Sequence, residues 1–259
     1  MVLAVDIGNS NIVISSFENN NMLFVARVST DASRTEFEYA VVLKDILELY
    51  GYKKEQIDGA IISSVVPPLS SVIKNAILLI KQVRILAVGP GIKTGLDIKI
   101  DNPAQLGADM LATSVGAINK YPLPAIIIDL GTATKITVVD KNKTYRGGAI
   151  MPGVMISLQA LTDRTAQLPQ ISLSDGVHQA IGTNTIDCMR AGIILGSAGM
   201  IDGMLKRYKK ELGEDVTVVA CGGLTDAIVP YCESKIISDP HLLLHGLIAL
   251  YKKNSPENI

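Results

Sequence analysis

Two short stretches of the chain repeat one another, and their spacing sets the strongest limit on its fold. Residues 4–14 read Ala-Val-Asp6-Ile-Gly8-Asn-Ser10-Asn11-Ile-Val-Ile, and residues 127–137 read Ile-Ile-Asp129-Leu-Gly131-Thr132-Ala-Thr134-Lys135-Ile-Thr. Each is an apolar strand closed by an Asp-apolar-Gly turn, then small polar residues, then a second strand. The second aspartate lies 123 positions after the first, close to half of the 259 residues, so each copy opens one half. A later pair repeats the relation: Ile61-Ile62-Ser63-Ser64-Val65 against Val218-Val219-Ala220-Cys221-Gly222-Gly223. Two lobes of one topology follow, with a site expected between the copies.

The remainder of the pattern is α/β. Short apolar runs predict strands at 2–5, 12–17, 23–28, 59–65, 83–88, 125–129, 135–140, 144–150 and 216–220. Stretches of helical period predict helices at 35–50, 67–81, 107–119, 155–161, 184–212 and 241–252. The sixth strand is preceded by the Pro-containing stretch Lys120 to Pro124, which is the expected boundary between lobes 1–119 and 120–259. The helix at 184–212 either crosses a whole lobe or breaks near Gly192, Gly196 and Gly199.

Composition narrows the function classes. With 48% hydrophobic and 19% charged residues the chain can bury a large core, which excludes dominant disorder. A balance of 24 basic against 25 acidic residues builds no field for nucleic acid. An aromatic content of 4%, with no Trp, supplies no stacking platform for single strands. Mean hydropathy is +0.32, yet no apolar run nears the roughly 18 residues of a spanning helix, so no membrane partner is expected. The opening MVLAVDIGN has no basic region before its apolar run, so no signal peptide is expected. Cys188, Cys221 and Cys232 lack metal or redox spacing and read as reduced, mostly buried thiols of a cytoplasmic protein. His241 and His245, four apart, lack a third ligand of recognisable spacing.

The repeated turns carry the chemistry. A strand ending in Asp-apolar-Gly brings bare backbone close to a phosphate, while Asn9, Ser10 and Asn11 offer donors. Asp6 can hold hydrated Mg²⁺ through water. One such turn alone would be an ordinary hairpin; two facing copies suit the β- and γ-phosphates of ATP. Gly222 and Gly223, following an apolar strand, let a ribose or flat ring pack on backbone, or form a plain strand-to-helix turn. Asp109, after Gly107 and Ala108 at a helix start, is either a capping acid or the carboxylate that receives a hydroxyl proton.

Taken together these residues resemble the type III pantothenate kinases, within the acetate and sugar kinase, Hsp70 and actin superfamily. The resemblance runs nearly end to end: the Asp6 turn, Arg34-Thr35, Ser64-Val-Val-Pro-Pro-Leu69, Gly89-Pro-Gly-Ile-Lys93-Thr-Gly-Leu96, Asp101-Asn-Pro, Gly107-Ala-Asp109 and Asp129-Leu-Gly-Thr-Ala-Thr134. It continues through Gly147-Gly-Ala-Ile-Met-Pro-Gly153, Leu168-Pro169, Ile181-Gly-Thr-Asn-Thr185, Gly222-Gly223 and Asp239-Pro-His-Leu242. It implies two duplicated ribonuclease H-like (actin-like ATPase) lobes, each a mixed sheet flanked by helices. It also implies an ATP-dependent kinase for the primary hydroxyl of pantothenate, acting first in coenzyme A formation. In that resemblance Asp6, Ile7, Gly8, Asn9, Ser10, Asn11, Ile12 and Val13 form a phosphate loop, and Thr132, Gly222 and Gly223 also meet ATP. Asp109 is the general base, and Gly107, Ala108, Met110 and Thr185 meet pantothenate. Asp129 is tied to a monovalent cation, K⁺ or NH₄⁺. A homodimer with the substrate at its interface is implied.

Three positions depart from the family pattern. Met110 stands where the family has Arg, Lys135 where it usually has Thr, and Ser10 where it usually has Thr. Losing a guanidinium would weaken the hold on an anionic substrate. Either Lys135 supplies the missing charge, or the chain is a paralogue with weak activity, a regulatory or binding role, or another small hydroxylated acid as substrate.

Overall fold

A computed structural model describes residues 1–213 and 215–255. In chain order the elements are β1 (Val2–Ile7), β2 (Asn11–Glu18), β3 (Asn21–Ser29), α1 (Glu36–Leu49), β4 (Gly59–Ser64), α2 (Pro67–Ile80), β5 (Arg84–Ala87), β6 (Asp97–Ile98) and α3 (Ala108–Lys120). There follow β7 (Ala125–Leu130), β8 (Ala133–Val139), β9 (Thr144–Pro152), α4 (Val154–Arg164), α5 (Thr185–Leu212), β10 (Thr217–Cys221), α6 (Thr225–Ile228), β11 (Ile237–Ser238) and α7 (Leu242–Asn254).

The internal repeat reappears as sheet topology. One sheet has the order β3-β2-β1-β4-β5 and the other β11-β10-β7-β8-β9-β6. Read from β9, the second runs β9-β8-β7-β10-β11, the same succession, with β6 added beyond β9. Strand senses repeat as well. β1 pairs antiparallel with β2 and parallel with β4, as β7 pairs antiparallel with β8 and parallel with β10. Both copies are therefore α/β lobes built on a mixed sheet. The chain divides into two compact units: Met1–Gly95 with Asn102–Asn119 and the segment from Leu243 onward, and Leu96–Asp101 with Lys120–Leu242.

In the first unit the two-residue period of β1 sorts side chains to opposite faces. Leu3, Val5 and Ile7 join Ile12 and Ile14 in a core with Tyr39, Leu43 and Leu47 of α1 and Leu69, Ile73 and Ile77 of α2. Ala4 points the other way, with Phe17 and Ile61, into a second core with Ala112 and Val115 of α3 and Leu244, Leu247 and Ile248 of α7. Each fully buried aliphatic side chain contributes about 1.5–3 kcal/mol, so aromatics are not needed to fill either layer. Helix α1 starts where Thr35 and Glu38 form a reciprocal cap: Thr35 N–H donates to Glu38 at 2.8 Å and Glu38 N–H to the Thr35 hydroxyl at 3.4 Å.

In the second unit Ile126, Ile128, Leu130, Ile136 and Val138 pack against Val154 and Leu158 of α4 and Met189, Ile193, Ile194, Ile201 and Leu205 of α5. Helix α5 is continuous for 28 residues and ends at Gly213, whose φ of 66° gives the left-handed cap. Gly192, Gly196 and Gly199 do not break it. By length and composition α5 could cross a membrane, but its apolar stripe is part of this core.

Asp202 of α5 is a tether. Its carboxylate accepts the backbone N–H groups of Glu233 at 2.8 Å and Ser234 at 2.9 Å. Burial alone would raise this carboxyl, but hydrogen bonds from Ser234 and Glu233, with the nearby Lys209 charge, hold it below the usual carboxylate range. A lowered folded value contributes stability that is present above the unfolded value, about 4, and is lost as pH falls through the folded one. Asp202→Asn is expected to cost about 1 kcal/mol near neutrality, the low side for hydrogen bonds to a partly exposed charge. The variant should also flatten the loss of stability below pH ~4. Urea unfolding of both proteins across that range measures it, and parallel curves would remove the tether.

Candidate active site

The Asp6 turn is braced from three sides within the first unit. Gly8 N–H donates to Asn11 O at 3.0 Å and closes the hairpin between β1 and β2. The Thr30 hydroxyl donates to Gly8 O at 2.6 Å, and Thr30 N–H to Ser10 O at 3.1 Å. A Cβ on Gly8 would lie 3.0 Å from Asn11 O, so the tight closure favours glycine. Asn9 and Ser10 are exposed at the tip, where their donors can meet an anion. Ile7 and Ile12, by contrast, are fully buried in the core. Only their backbones can serve a nucleotide.

Asp6 stands at the end of β1, opposite Val13 of β2 and Ser63 of β4. The Ser63 hydroxyl donates to Asp6 Oδ1 at 2.8 Å and orients the carboxylate. A single oriented carboxylate suits Mg²⁺, which keeps several waters and takes its other ligands from phosphates. Among the described residues no group of three His, Cys, Asp or Glu side chains could make an all-protein metal cage. Thr30 and Ser63 were not singled out in the sequence. Ser63 was visible only as part of the second echo, and Thr30 reaches the loop from 20 residues beyond Ser10, with no local signal.

Asp109 lies in the first turn of α3. Its Oδ1 accepts the Met110 N–H at 2.7 Å, and a Cβ on Gly107 would sit 2.6 Å from that same oxygen. Gly107 thus makes room for the carboxylate to fold back over the helix start. Thr113 and Ser114 hydroxyls donate to Asp109 O at 3.0 Å and Met110 O at 2.7 Å, stiffening the turn. Ala108 and Met110 flank the carboxylate and are half-buried.

In the second unit the register brings Cys221, Asp129 and Lys135 side by side on β10, β7 and β8. Lys135 Nζ lies 2.7 Å from Asp129 Oδ2, and both side chains are largely buried, at 14% and 17% exposure. The charge that the sequence suggested for an anionic substrate is therefore engaged with Asp129. Asp129 Oδ1 faces two glycines: a Cβ on Gly131 would lie 3.2 Å from it and one on Gly222 2.9 Å. Gly222 has φ of 98°, and its Cβ would also sit 2.6 Å from the Leu130 carbonyl. This close approach needs glycine on both counts. The Thr225 hydroxyl donates to Gly222 O at 2.8 Å, and Leu224 N–H to Leu130 O at 3.3 Å, which locks the turn that carries Gly223 onto β7. Thr132 is exposed at the tip of the second Asp-Gly turn.

Thr185 opens α5 beside a cavity of about 580 Å³ lined by Leu161, Leu168, Gly182, Thr185, Cys188 and Met189. Asn184 caps this helix, accepting Asp187 N–H at 2.9 Å. Of the three cysteines, none in a disulfide, Cys221 is buried and Cys232 half-buried, whereas Cys188 is exposed at this cavity. Burial first, and then Asp202, pushes the Cys232 thiol up to about 11.

Oriented carboxylates and glycine turns at strand ends can position phosphates and a nucleophile for phosphoryl transfer, and solved structures share the fold. Among solved structures, the activator of the 2-hydroxyisocaproyl-CoA dehydratase from Clostridium difficile with bound ADPNP matches with a TM-score of 0.57 and 15% identity, over 98% of this chain and 94% of that one. A ROK family glucokinase from Streptomyces griseus, in complex with glucose and AMPPNP, matches at 0.52 and 12%, over 97% and 98%. These likenesses place both lobes in the actin-like ATPase and sugar-kinase fold. In sequence, type III pantothenate kinases from Exiguobacterium sp. and Halalkalibacterium halodurans are 41% and 40% identical over 98% of this chain, covering 99% and 100% of their own lengths. The family model for type III pantothenate kinase matches residues 2–207. With a match of that extent on a fold of that kind, the chain belongs to the type III pantothenate kinase family.

Proposed function

We propose that this chain transfers the γ-phosphoryl group of ATP to the primary hydroxyl of pantothenate, giving 4'-phosphopantothenate on the way to coenzyme A. The observation that carries the reading is the nearly full-length identity to kinases of that name. The Asp6 turn, with Gly8 and the donors of Asn9, Ser10 and Asn11, and Thr132 on the second turn, hold phosphate oxygens. Gly222 and Gly223 give the nucleoside a bare backbone surface. Thr185 and the first turn of α3 receive pantothenate. Asp109 accepts the hydroxyl proton as the hydroxyl oxygen bonds to the γ-phosphorus and the bond to the β,γ-bridging oxygen breaks. Its Oδ1 is already turned by the Met110 N–H. Mg²⁺, held through water at Asp6, would neutralise the phosphate charge when bound. A monovalent cation does not fit beside Asp129, since that carboxylate already carries the Lys135 ammonium, whose charge would repel a second cation. Action in the cytoplasm as a homodimer accords with the family resemblance.

The product tests the reading. After incubation with ATP, Mg²⁺ and pantothenate, a phosphomonoester on the primary hydroxyl is expected by phosphorus NMR; ATP consumed only with another acceptor would replace the substrate. Met110 supplies a second test. Restoring the family cation with Met110→Arg is expected to lower KM for pantothenate about tenfold or more, with kcat changed little, because a ground-state contact to an anion is added. An unchanged KM would mean that the substrate carboxylate is bound elsewhere.

A further inference from the structure

Lys135 occupies a position that the mechanism above leaves without a role. It sits directly across β7 and β8 from Asp129, in the strand pair that makes the second Asp-Gly turn. Its ammonium is 2.7 Å from Asp129 Oδ2, and neither side chain is more than 17% exposed. An ion pair this sheltered is not a solvated surface contact, and its place is set by strand register rather than by a flexible loop. On its Oδ1 side the carboxylate is bordered by Gly131 and Gly222, where a Cβ would come within 3.2 and 2.9 Å. A second monocation brought to the same carboxylate would meet the Lys135 charge at close range, with little solvent to screen it.

We infer that the Lys135 ammonium is a covalently attached monovalent cation that replaces a free potassium or ammonium ion beside Asp129. This rests on the kinase reading, in which Asp129 lies at the phosphate turn. On that reading the pair, neutral as a whole, presents the ammonium charge beside the turn that meets the phosphates, and holding it by a covalent bond removes the need to capture an ion from solution. The chain would then turn over at the same rate whatever the bulk monovalent salt.

Wild type and Lys135→Thr, which restores the usual family residue, separate the alternatives. Turnover with ATP, Mg²⁺ and pantothenate is measured in potassium chloride and in tetramethylammonium chloride, and thallium(I) binding is followed by titration calorimetry without pantothenate. The wild type is expected to show rates within about twofold of each other in the two salts and no thallium uptake. The variant is expected to lose about 10²-fold in tetramethylammonium, the scale of one lost electrostatic contact. It should recover much of that in potassium, melt higher in potassium than in tetramethylammonium, and bind about one thallium. A wild type that is strongly stimulated by potassium, or that takes up thallium, overturns the assignment even if the variant does not fold. So does a folded variant that takes up no thallium. If neither protein phosphorylates pantothenate but only the variant binds thallium, the substrate reading fails and the ammonium assignment stands.

Discussion

Asp109→Asn is expected to lower kcat for pantothenate phosphorylation by about 10²–10⁴-fold, the usual contribution of a positioned general base. The amide matches the carboxylate in shape, so the packing of Asp109 over Gly107 and the start of α3 should survive. KM for ATP and the melting temperature should therefore change little, and the loss should appear in kcat and kcat/KM together. Steady-state kinetics with both substrates varied, alongside a thermal melt, measures this. A kcat within about tenfold of wild type would leave Asp109 as a helix-capping acid and no more.

Gly246→Val should have the largest effect on stability. Gly246 of α7 packs against α3 so closely that a Cβ would lie 1.8 Å from Ala112 O, 2.7 Å from its carbonyl carbon and 2.9 Å from Gly116 N. These are backbone atoms of a helix and cannot swing away as a side chain would. Both helices must separate, opening the core formed by Ala112, Val115, Leu244, Leu247 and Ile248. Overpacking typically costs about 1–3 kcal/mol; with a helix backbone as the obstacle, the upper end or beyond is expected. Since Ala112 lies one turn after Asp109, activity should fall with stability. Urea unfolding of the variant against wild type measures the first and turnover the second. A loss below about 0.5 kcal/mol would mean that the two helices are not held this closely.

How much of this was legible in the sequence depended on the range of each interaction. The Asp-Gly turns could be read because strand, turn residues and glycine are contiguous, and their repetition disclosed the doubled topology. Strands β6 and β11 could not: Asp97–Ile98 exists as a strand only because it pairs with Thr144 and Tyr145, and two residues carry no period of their own. The continuity of α5 was left open by its glycines. A Cβ at Gly192, Gly196 or Gly199 would meet nothing within 4 Å, so these residues mark neither a break nor a close contact. Around the candidate site, Lys135 was recognised as a departure with a substrate charge as one of two readings, whereas its partner follows from the β7–β8 register, which places it opposite Asp129. Ile7 and Ile12 were grouped with the phosphate loop by position. Alternation along the strands turns both side chains into the core instead.

The most direct test of the central claim is ADP release by the purified chain with ATP and Mg²⁺, measured while pantothenate is titrated from zero. Little release is expected without pantothenate, with a saturable rise as it is added. A rate indifferent to pantothenate, whether absent or sustained, would contradict it.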